Sequence, residues 1–391
     1  MLKHIYLTSL HLSHGGVEFV VSQLANYFVG LGHPVTILCT YKLGEPVYDI
    51  DPRVTIKYLT KYVPNREAFK KALRSKNILQ ILKEGMYAVK VLLTKKVVLI
   101  KEFKNIQSGI VISSRNEDTV LLSKYGQEEV LKIAHIHHDV LQQDVVGRTM
   151  VRKYKNIHAV VLLTEELKSE VEEFLTKKYP HIRCVAIANA IEPLDFLSHD
   201  QKREKTIITV GRLHPDKGYH RLLDIFQEVH AKHPEWRLQI IGDGVLKEQL
   251  MKQAELLGIK SSVDFLGYLN NEKSRSMMMK SSIYVMTSVR EGFGIVLVEA
   301  MDAGLPAVAF DVRVGPRSII SQGKTGYLIE DGKNHEFAKK LMSLMEENSL
   351  REELGLQAKN EAAKYYREVV FSKWTALFQE LEDETGDANG H

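Results

Sequence analysis

Cysteine is scarce in this sequence, with only Cys39 and Cys184 among its 391 residues. Both lie in apolar runs far apart in the chain, so we expect two buried, reduced thiols rather than a disulfide framework. The sequence also lacks any run of about 18 uncharged apolar residues, the length that a membrane-spanning helix needs. The first residues form a strand-like run that Gly15 and Gly16 interrupt, which is too short for a signal-peptide core. These absences predict a cytoplasmic protein.

The composition lacks the bias of a disordered or fibrous chain. Hydrophobic residues make up 44% and charged residues 26% of the sequence, as in globular proteins. A chain of 391 residues is too long for one ordinary hydrophobic core, and its length favours two or three domains.

Acidic residues are sparse in one segment. Residues 61–104 contain 12 lysines and arginines but only Glu67, Glu84 and Glu102. Cationic and apolar positions alternate there at helical spacing, as in helices that bind anionic membranes. We therefore expect peripheral contact with the inner face of a membrane through 61–104, the alternative being a solvated helical face. Nucleic acid is not expected as a partner, because the sequence lacks both aromatic residues interleaved with its basic ones and any nucleic-acid-binding motif.

Short β-rich runs alternate with longer helical patterns, which predicts an α/β protein with parallel sheets built from βαβ units. A first series of strands is expected at 5–9, 35–40, 55–59, 109–113, 132–136, 159–163 and 184–188. A second series is expected at 206–210, 238–241, 263–266, 283–286, 307–310 and 327–329. The two series predict two doubly wound, Rossmann-like sheets.

A polar stretch at 198–205 separates the two series and is interpreted as a linker. The predicted domains are 1–195 and 206–365, followed by a C-terminal helix at 366–381. Open α/β sheets bind ligands at the carboxyl ends of their strands. If two such sheets face one another, the cleft between them is the expected active site.

Glycines follow several predicted strands at the point where a helix begins. Gly15 and Gly16 follow the first strand, where bare backbone and free helix N–H groups favour an anion such as a diphosphate. A tight turn without a ligand is the alternative. Gly242 and Gly244 form a similar turn, but the residue three positions after Gly244 is Lys247, which breaks the dinucleotide fingerprint and argues against a dehydrogenase.

Two cations lie in the turn that opens the second series. Arg212 follows Gly211 and offers a planar fork to phosphate oxygens, and Lys217 adds a compact cation. Two cations beside a helix N-terminus suit a pyrophosphate that gains charge as its bond to a sugar breaks. The alternative is a surface loop without a ligand.

The segment 291–299, which begins and ends with a glutamate, is the most informative about function. Glu291 follows a predicted strand, and Glu299 lies in the helix that comes next. The first carboxylate can accept hydrogen bonds from sugar hydroxyls, and the second can accept both hydroxyls of a ribose. The backbone amides between them can hold phosphate; they belong to Gly292, Phe293, Gly294 and Ile295. The alternative is a helix-terminus charge and a solvated glutamate.

Together these motifs resemble the retaining glycosyltransferases of the GT-B fold, in particular glycosyltransferase family 4. The resemblance covers almost the whole chain and is sharpest at 207–329. The matching segments are 15–16, 211–218, 242–244, 265–268, 291–299, 299–306, 315–320 and 326–329. The Gly315-Pro316 form is similar to enzymes that build capsular, exopolysaccharide or teichoic-acid chains.

The resemblance implies roles for individual residues. Arg212 and Lys217 would hold the donor diphosphate, Glu291 the donor sugar and Glu299 the ribose. The donor would be a UDP-sugar carrying a hexose or N-acetylhexosamine, and no metal ion or other cofactor is expected. The loop near the base would be formed by Leu266, Gly267 and Tyr268.

The resemblance also implies a histidine near the reacting sugar, at the end of a strand of the first domain. Three candidates occur there, at His135, His137 and His138. Strand alternation places His135 and His137 on one face, and the family's order of an apolar residue before the histidine favours His137. Zinc is a weak alternative, because this spacing on a strand has no second cluster to complete a site.

The sequence therefore predicts a glycosyltransferase that moves the sugar with retention onto a hydroxyl of a cell-surface glycan, glycolipid or polyol-phosphate acceptor. Two alternatives remain open. A non-catalytic GT-B subunit would support a partner transferase and bind no donor. A nucleotide-sugar epimerase of the same fold would alter its substrate without an acceptor.

Overall fold

A computed structural model describes residues 2–13, 15–138, 144–194 and 203–388. The chain divides into two compact units. The first unit comprises Met1–Ile187 and Trp374–His391, and the second comprises Ala188–Lys373. The linker was predicted at 198–205. Most of it lies outside the described residues, because these do not include 195–202. The chain passes into the second unit at 188, before the predicted domain end at 195.

The first unit contains a seven-stranded parallel sheet in the order β3-β2-β1-β4-β5-β6-β7. Strand β1 pairs with β2 from Ile5 opposite Val35 to Ser9 opposite Cys39. The strands are β1 (Ile5–Ser9), β2 (Val35–Tyr41), β3 (Thr55–Thr60), β4 (Gly109–Ser113), β5 (Val130–His135), β6 (Ala159–Leu162) and β7 (Arg183–Ala186).

Helices connect these parallel strands, except between β2 and β3. Helix α1 buries an apolar stripe against the sheet, because Val20, Leu24 and Phe28 recur on one of its faces. The helices of this part of the chain are α1 (Gly16–Gly30), α2 (Arg66–Ser75), α3 (Ile78–Asn105), α4 (Asn116–Tyr125), α5 (Asp144–Lys153) and α6 (Glu165–Leu175).

The second unit contains a six-stranded parallel sheet in the order β10-β9-β8-β11-β12-β13. Its strands are β8 (Thr206–Val210), β9 (Arg237–Ile241), β10 (Val263–Gly267), β11 (Ile283–Met286), β12 (Ala307–Asp311) and β13 (Gly326–Glu330). Its helices are α7 (Tyr219–His230), α8 (Lys247–Leu256), α9 (Asn271–Lys280), α10 (Ile295–Asp302), α11 (Pro316–Ile319), α12 (Asn334–Glu346) and α13 (Asn348–Ala362). Trp236, Phe226 and Phe337 anchor its core.

The last helix, α14 (Arg367–Ala388), begins in the second unit and continues into the first at Trp374. Within the first unit, Trp374 is 1% exposed and packs edge-on against Phe28 of α1. Phe378 lies one turn later, with its ring centroid 5.1 Å from that of Phe28. The C-terminal segment is therefore part of the first unit's core.

The predicted fold class is confirmed: the chain forms two doubly wound parallel α/β sheets. Predicted strand ends differ by one or two residues. Strand β5 ends at His135 rather than 136, although the N–H of Ile136 still donates to the carbonyl of Val161. Among the described residues, no helix is long and apolar enough to cross a membrane.

Candidate active site

Three glycine turns meet at the carboxyl edge of the second sheet, after β8, β9 and β10. Gly242 has φ 143°, and a Cβ built on it would lie 1.9 Å from the carbonyl oxygen of Gly211. A Cβ on Gly244 would lie 2.5 Å from the carbonyl oxygen of Leu213, and the Gly242 N–H donates to the carbonyl of Gly267. Only glycine permits this backbone packing, which leaves a surface of bare main chain.

The turn after β8 packs directly on the segment after β11. A short 3₁₀-helix, Pro215–Lys217, ends at Gly218, whose φ of 64° and approach to Thr287 exclude a side chain. The N–H of Val289 donates to the carbonyl of Asp216 over 2.8 Å. This packing brings Lys217 beside the segment that carries Glu291.

Lys217 and Glu291 form an ion pair, with Nζ 2.6 Å from Oε1. The hydroxyl of Ser288 donates to the same oxygen over 2.6 Å. The Glu291 side chain is 8% exposed and that of Lys217 is 20% exposed, so the pair is largely shielded from water. Arg212 differs: its side chain is 75% exposed, and its guanidinium lies 4.0 Å from Asp216.

Two glycines with positive φ shape the loop that follows Glu291. Gly294 has φ 95° and precedes α10, whose first residue is Ile295. Gly315 has φ 86°, and its Cβ would lie 2.7 Å from the carbonyl of Phe293 and 2.9 Å from Cβ of Glu291. The 292–295 amides therefore sit at a helix start, where an anion is favoured.

Glu299 lies inside α10 and is 5% exposed. Its Oε1 accepts a hydrogen bond of 2.6 Å from Nδ2 of Asn271, the first residue of α9. Burial raises the pKa of Glu299, whereas the Asn271 hydrogen bond and the nearby Arg275 lower it. Arg275 itself is paired with Asp302 at 2.6 Å. Ligand hydroxyls would have to share the carboxylate with Asn271.

Several of these partners were missed by sequence reasoning. Ser288 and Asn271 hold the two predicted glutamates, and the hydroxyl of Tyr219 donates to the carbonyl of Gly211 over 3.0 Å. Burial and the charge of Glu291 raise the pKa of Tyr219, so it remains a neutral donor. The sequence could have indicated Asn271, because this polar residue begins the helix that follows β10.

The remaining second-unit candidates lie at the end of β10. Leu266 and Gly267 are half-buried, Gly267 has φ 70°, and Tyr268 is 56% exposed. Because β10 neighbours β9, these residues continue the edge that Gly242 and Gly244 form. The second unit thus gathers its predicted site residues at one sheet edge, with Glu299 in the helix behind the 292–295 loop.

In the first unit, a carboxylate occupies the space beside Gly15. A Cβ on Gly15 would lie 1.9 Å from Oε2 of Glu18, which is buried. The other oxygen, Oε1, lies 3.6 Å from Nδ1 of His11, and the Gly15 N–H is 3.3 Å from the hydroxyl of Tyr48. Gly16 is the first residue of α1. A diphosphate at Gly15 would require Glu18 to move.

His135, the last residue of β5, and His137, two residues later, lie on one side, with ring centroids 4.0 Å apart. His135 also packs edge-on against Trp374, at 5.0 Å between centroids. Within the described residues, the buried Nε2 atoms of His135 and His137 have no hydrogen-bond partner. Burial lowers the pKa of His137 to about 3, helped by the charge of His138, and lowers that of His135 well below its usual value. Both rings are therefore neutral at pH 7.

We expect the His137→Gln variant to reduce the acid sensitivity of the fold. With a pKa of about 3 in the native state and about 6.5 in the unfolded chain, the unfolded state binds more protons between these values. His137 therefore contributes its full stability above pH 6.5 and loses it as the pH falls toward 3, by up to about 1.4 kcal/mol per pH unit.

Urea unfolding near pH 7 and near pH 5 measures this effect. The loss of unfolding free energy on acidification should be about 2 kcal/mol smaller in His137→Gln than in the wild type. The exposed His220→Gln variant is the control and should follow the wild type. An equal loss in all three proteins would show that His137 is not held neutral.

Sequence comparison identifies the second unit. Residues 193–361 match the family model described as glycosyl transferases group 1. The chain is a glycosyltransferase. Among curated relatives, amylovoran biosynthesis glycosyltransferase AmsD of Erwinia amylovora is 26% identical over 388 residues, covering 96% of this chain and 99% of that protein. The prediction of glycosyltransferase activity is thereby confirmed.

Two further relatives are matched over only part of their length. An exopolysaccharide phosphotransferase of Streptomyces coelicolor is 28% identical over 390 residues, which cover 97% of this glycosyltransferase but 41% of the relative. A poly(ribitol-phosphate) alpha-N-acetylglucosaminyltransferase of Staphylococcus aureus is 28% identical over 261 residues, which cover 65% of this chain and 50% of that one.

Solved structures show the same GT-B fold. The crystal structure of S. aureus TarM with fondaparinux, alpha-GlcNAc-glycerol and UDP aligns with a TM-score of 0.76 and 18% identity, covering 96% of this glycosyltransferase and 100% of TarM. Pneumococcal GtfA in complex with UDP and GlcNAc aligns with a TM-score of 0.76 and 15% identity, covering 97% of this glycosyltransferase and 99% of GtfA.

Proposed function

We propose that this glycosyltransferase is a retaining member of family 4 that moves a hexose or N-acetylhexosamine from a UDP-sugar to a hydroxyl of a cell-surface glycan or glycolipid. The observation that carries the proposal is the shielded Lys217–Glu291 pair. It lies beside bare backbone at the carboxyl edge of the second sheet, where open α/β folds bind nucleotides.

The donor diphosphate is proposed to bind Lys217, Arg212 and the 292–295 amides. Lys217 is already positioned by Glu291, and the exposed Arg212 can swing onto phosphate oxygens at little cost. If a donor phosphate replaced the Glu291 carboxylate as the partner of Lys217, Glu291 would be free to accept hydrogen bonds from the sugar. The UDP bound in the TarM and GtfA structures supports this choice of nucleotide.

The nucleoside is proposed to lie across the glycine turns. Glu299, held by Asn271, would accept the ribose hydroxyls, and Leu266–Tyr268 would border the base. The raised pKa of Glu299 makes ribose binding sensitive to acid, because the protonated carboxyl accepts fewer hydrogen bonds.

Transfer with retention requires the acceptor to attack from the face that the diphosphate leaves. The bond between the anomeric carbon and the diphosphate oxygen breaks, the acceptor oxygen bonds to that carbon, and its proton passes to the departing diphosphate. Lys217, Arg212 and the loop amides stabilise the charge that develops. The neutral His137 of the first unit, with its unsatisfied Nε2, would donate or accept one hydrogen bond at the sugar. The first unit is proposed to bind the acceptor.

The acceptor class is inferred from the relatives. Their names describe enzymes of exopolysaccharide, amylovoran and poly(ribitol-phosphate) chains. A glycan, glycolipid or polyol-phosphate hydroxyl is therefore proposed here. No metal ion is proposed to take part, because Lys217 and Arg212 supply the positive charge that the diphosphate needs.

A donor panel tests the proposal. Purified protein is mixed with UDP-, GDP-, ADP- and TDP-sugars in the presence of a chelator, and thermal stabilisation, released nucleotide and sugar products are followed. Stabilisation and slow release of UDP from one UDP-sugar would support the transferase. Conversion of the sugar without nucleotide release would identify an epimerase, and no response to any donor would favour the scaffold.

Membrane contact is proposed through α3, whose exposed face is apolar. Eight of its apolar side chains are each more than half exposed: Ile78, Leu79, Leu82, Met86, Val89, Leu92, Leu93 and Val97. Residues 82, 86, 89, 93 and 97 recur on one helical face. Exposed lysines accompany them at Lys83, Lys90, Lys96, Lys101 and Lys104.

The carboxylates of α3 do not neutralise these lysines. Glu84 accepts from Asn65 over 2.5 Å, and Glu102 pairs with Lys57 of β3 at 2.6 Å. An apolar stripe bordered by exposed lysines fits an anionic bilayer surface. The proposed occupant of this face is therefore an anionic membrane.

Vesicle sedimentation should detect this contact. A Leu82→Gln, Met86→Gln, Leu93→Gln triple variant is expected to bind phosphatidylglycerol vesicles at least about tenfold more weakly, because the changes remove apolar surface from the bilayer contact. Leu256→Gln, at an even more exposed leucine of the second unit, is the control. Unchanged binding of the triple variant would rule out this face.

A further inference from the structure

A cavity of about 1190 Å³ lies at the amino-terminal edge of the first sheet. Its walls come from the segments 124–129, 155–158 and 178–181, which lead into β5, β6 and β7, and from the end of α3. His137 and Gly15 follow the carboxyl ends of strands in the same sheet. The cavity therefore lies at the opposite sheet edge from the first unit's candidate site residues.

The cavity is lined by basic residues. Five lysines contribute, Lys104, Lys124, Lys132, Lys155 and Lys178, with His158 and His181. Glu128 and Glu129 are its only acidic lining residues. In the described part of the chain, none of the five lysines forms an ion pair, whereas the neighbouring Lys177 pairs with Glu173 at 3.3 Å.

Lys132 is the residue that most requires a ligand. It is 2% exposed, and its Cε lies 3.0 Å from the Cβ position of Gly126. A buried ammonium group costs several kcal/mol when it lacks a counter-charge. Burial lowers the pKa of Lys132, and Glu128 and Glu129 raise it through space without pairing with it. An anion in the cavity would supply the missing partner.

The two histidines of the cavity are held by backbone hydrogen bonds, and His158 keeps a donor for a ligand. Nδ1 of His158 accepts from the Lys132 N–H over 3.0 Å, which leaves its Nε2 to donate. His181 is fixed by donation from Nε2 to the carbonyl of Lys155 over 2.9 Å. Ring faces support the lysines at the walls: Lys104 and Lys124 lie over Tyr125, and Lys178 over Tyr179.

We propose that this cavity binds a phosphate-bearing ligand at a site separate from the donor site. Five ammonium groups against two carboxylates exceed what a single carboxylate ligand would balance, and lysine binds phosphate as a point charge. A volume of about 1190 Å³ accommodates more than one phosphate group or a phosphate on a larger body. The two sources of such a group are a soluble phosphate compound and a phospholipid headgroup.

Lysine footprinting tests the proposal residue by residue. The full chain is acylated slowly with inorganic pyrophosphate, with phosphatidylglycerol vesicles or with neither, and modification is read by mass spectrometry. Lys155 and Lys178 should react about threefold more slowly when the ligand is present at about twice its Kd, by mass action, and Lys177 should not change. Because Lys217 is read separately, failure here is distinct from failure of donor binding.

The two probes distinguish the sources. Protection by pyrophosphate identifies a soluble phosphate ligand, and protection by vesicles alone identifies a headgroup. A Lys132→Met variant should lose the protection of Lys155 and Lys178 while remaining as stable as the wild type, because it removes an unpaired buried charge. Lys177→Met should keep it. The proposal would be overturned if neither probe protected these lysines. It would also be overturned if Lys132→Met showed the same protection as the wild type.

Discussion

The Lys217→Met variant is expected to lower kcat by about 10²–10³, the loss typical of removing one group that stabilises developing charge. In the structure this ammonium lies 2.6 Å from Glu291 and is only 20% exposed. In the proposed mechanism, Lys217 is the shielded cation that would stabilise the departing diphosphate. Methionine keeps most of the length of the unbranched side chain and removes the ammonium group.

A matched control separates this role from simple loss of an ion pair. Lys205 pairs with Glu235 at 3.2 Å in the same unit, so Lys205→Met removes a comparable lysine from an exposed site. It should retain wild-type kcat and melt close to the wild type, whereas Lys217→Met should melt lower, because it leaves the shielded carboxylate of Glu291 without its cation. Nucleotide release from the preferred donor is the assay. Wild-type turnover in Lys217→Met would contradict the proposed role.

The Trp374→Ala variant should have the largest effect on stability, a loss of about 3–5 kcal/mol in unfolding free energy. Its side chain is 1% exposed, and its ring packs against His135, Phe28 and Phe378 at centroid distances of 5.0, 6.4 and 6.2 Å. Alanine would leave a cavity where the C-terminal helix enters the first unit.

Urea unfolding followed by circular dichroism measures the change. Val369→Ala lies in the same helix at a 44% exposed position and should alter unfolding free energy by less than about 0.5 kcal/mol. Wild-type stability of Trp374→Ala would mean that α14 does not contribute to the first unit's core.

The sheets could be predicted because each parallel strand is a short apolar run followed by a turn and a helix. The glycine turns at 211, 242 and 244 were predictable for the same reason, since a glycine after a strand indicates close backbone approach. The structure adds the cause: Gly242 and Gly244 touch the main chain of the turn after β8.

The partners of the site residues could not be predicted, because they depend on contacts between distant segments. Lys217 and Glu291 are 74 residues apart, and Asn271 and Glu299 are 28 apart. Sequence spacing places each residue at a strand end but does not say which turns touch. The position of Glu18 against Gly15 could not be predicted either, because it depends on a side-chain rotamer.

The basic cavity was missed for a related reason. Its lysines are scattered along the chain and form no compact run in the sequence, since Lys132 lies in β5 and the other four lie in the segments before β4, β5, β6 and β7. The charge excess at 61–104 was visible, whereas the burial of Lys132 required the tertiary structure.

Calorimetric titration of UDP and of uridine tests most directly whether the second unit binds the donor through its diphosphate. We predict that UDP binds the wild type at least about tenfold more tightly than uridine, since hydrogen bonds to charged groups contribute about 1.5–3 kcal/mol each. The Arg212→Met variant should lose part of this difference and keep its affinity for uridine. Equal binding of UDP and uridine, or no binding of UDP, would contradict the account.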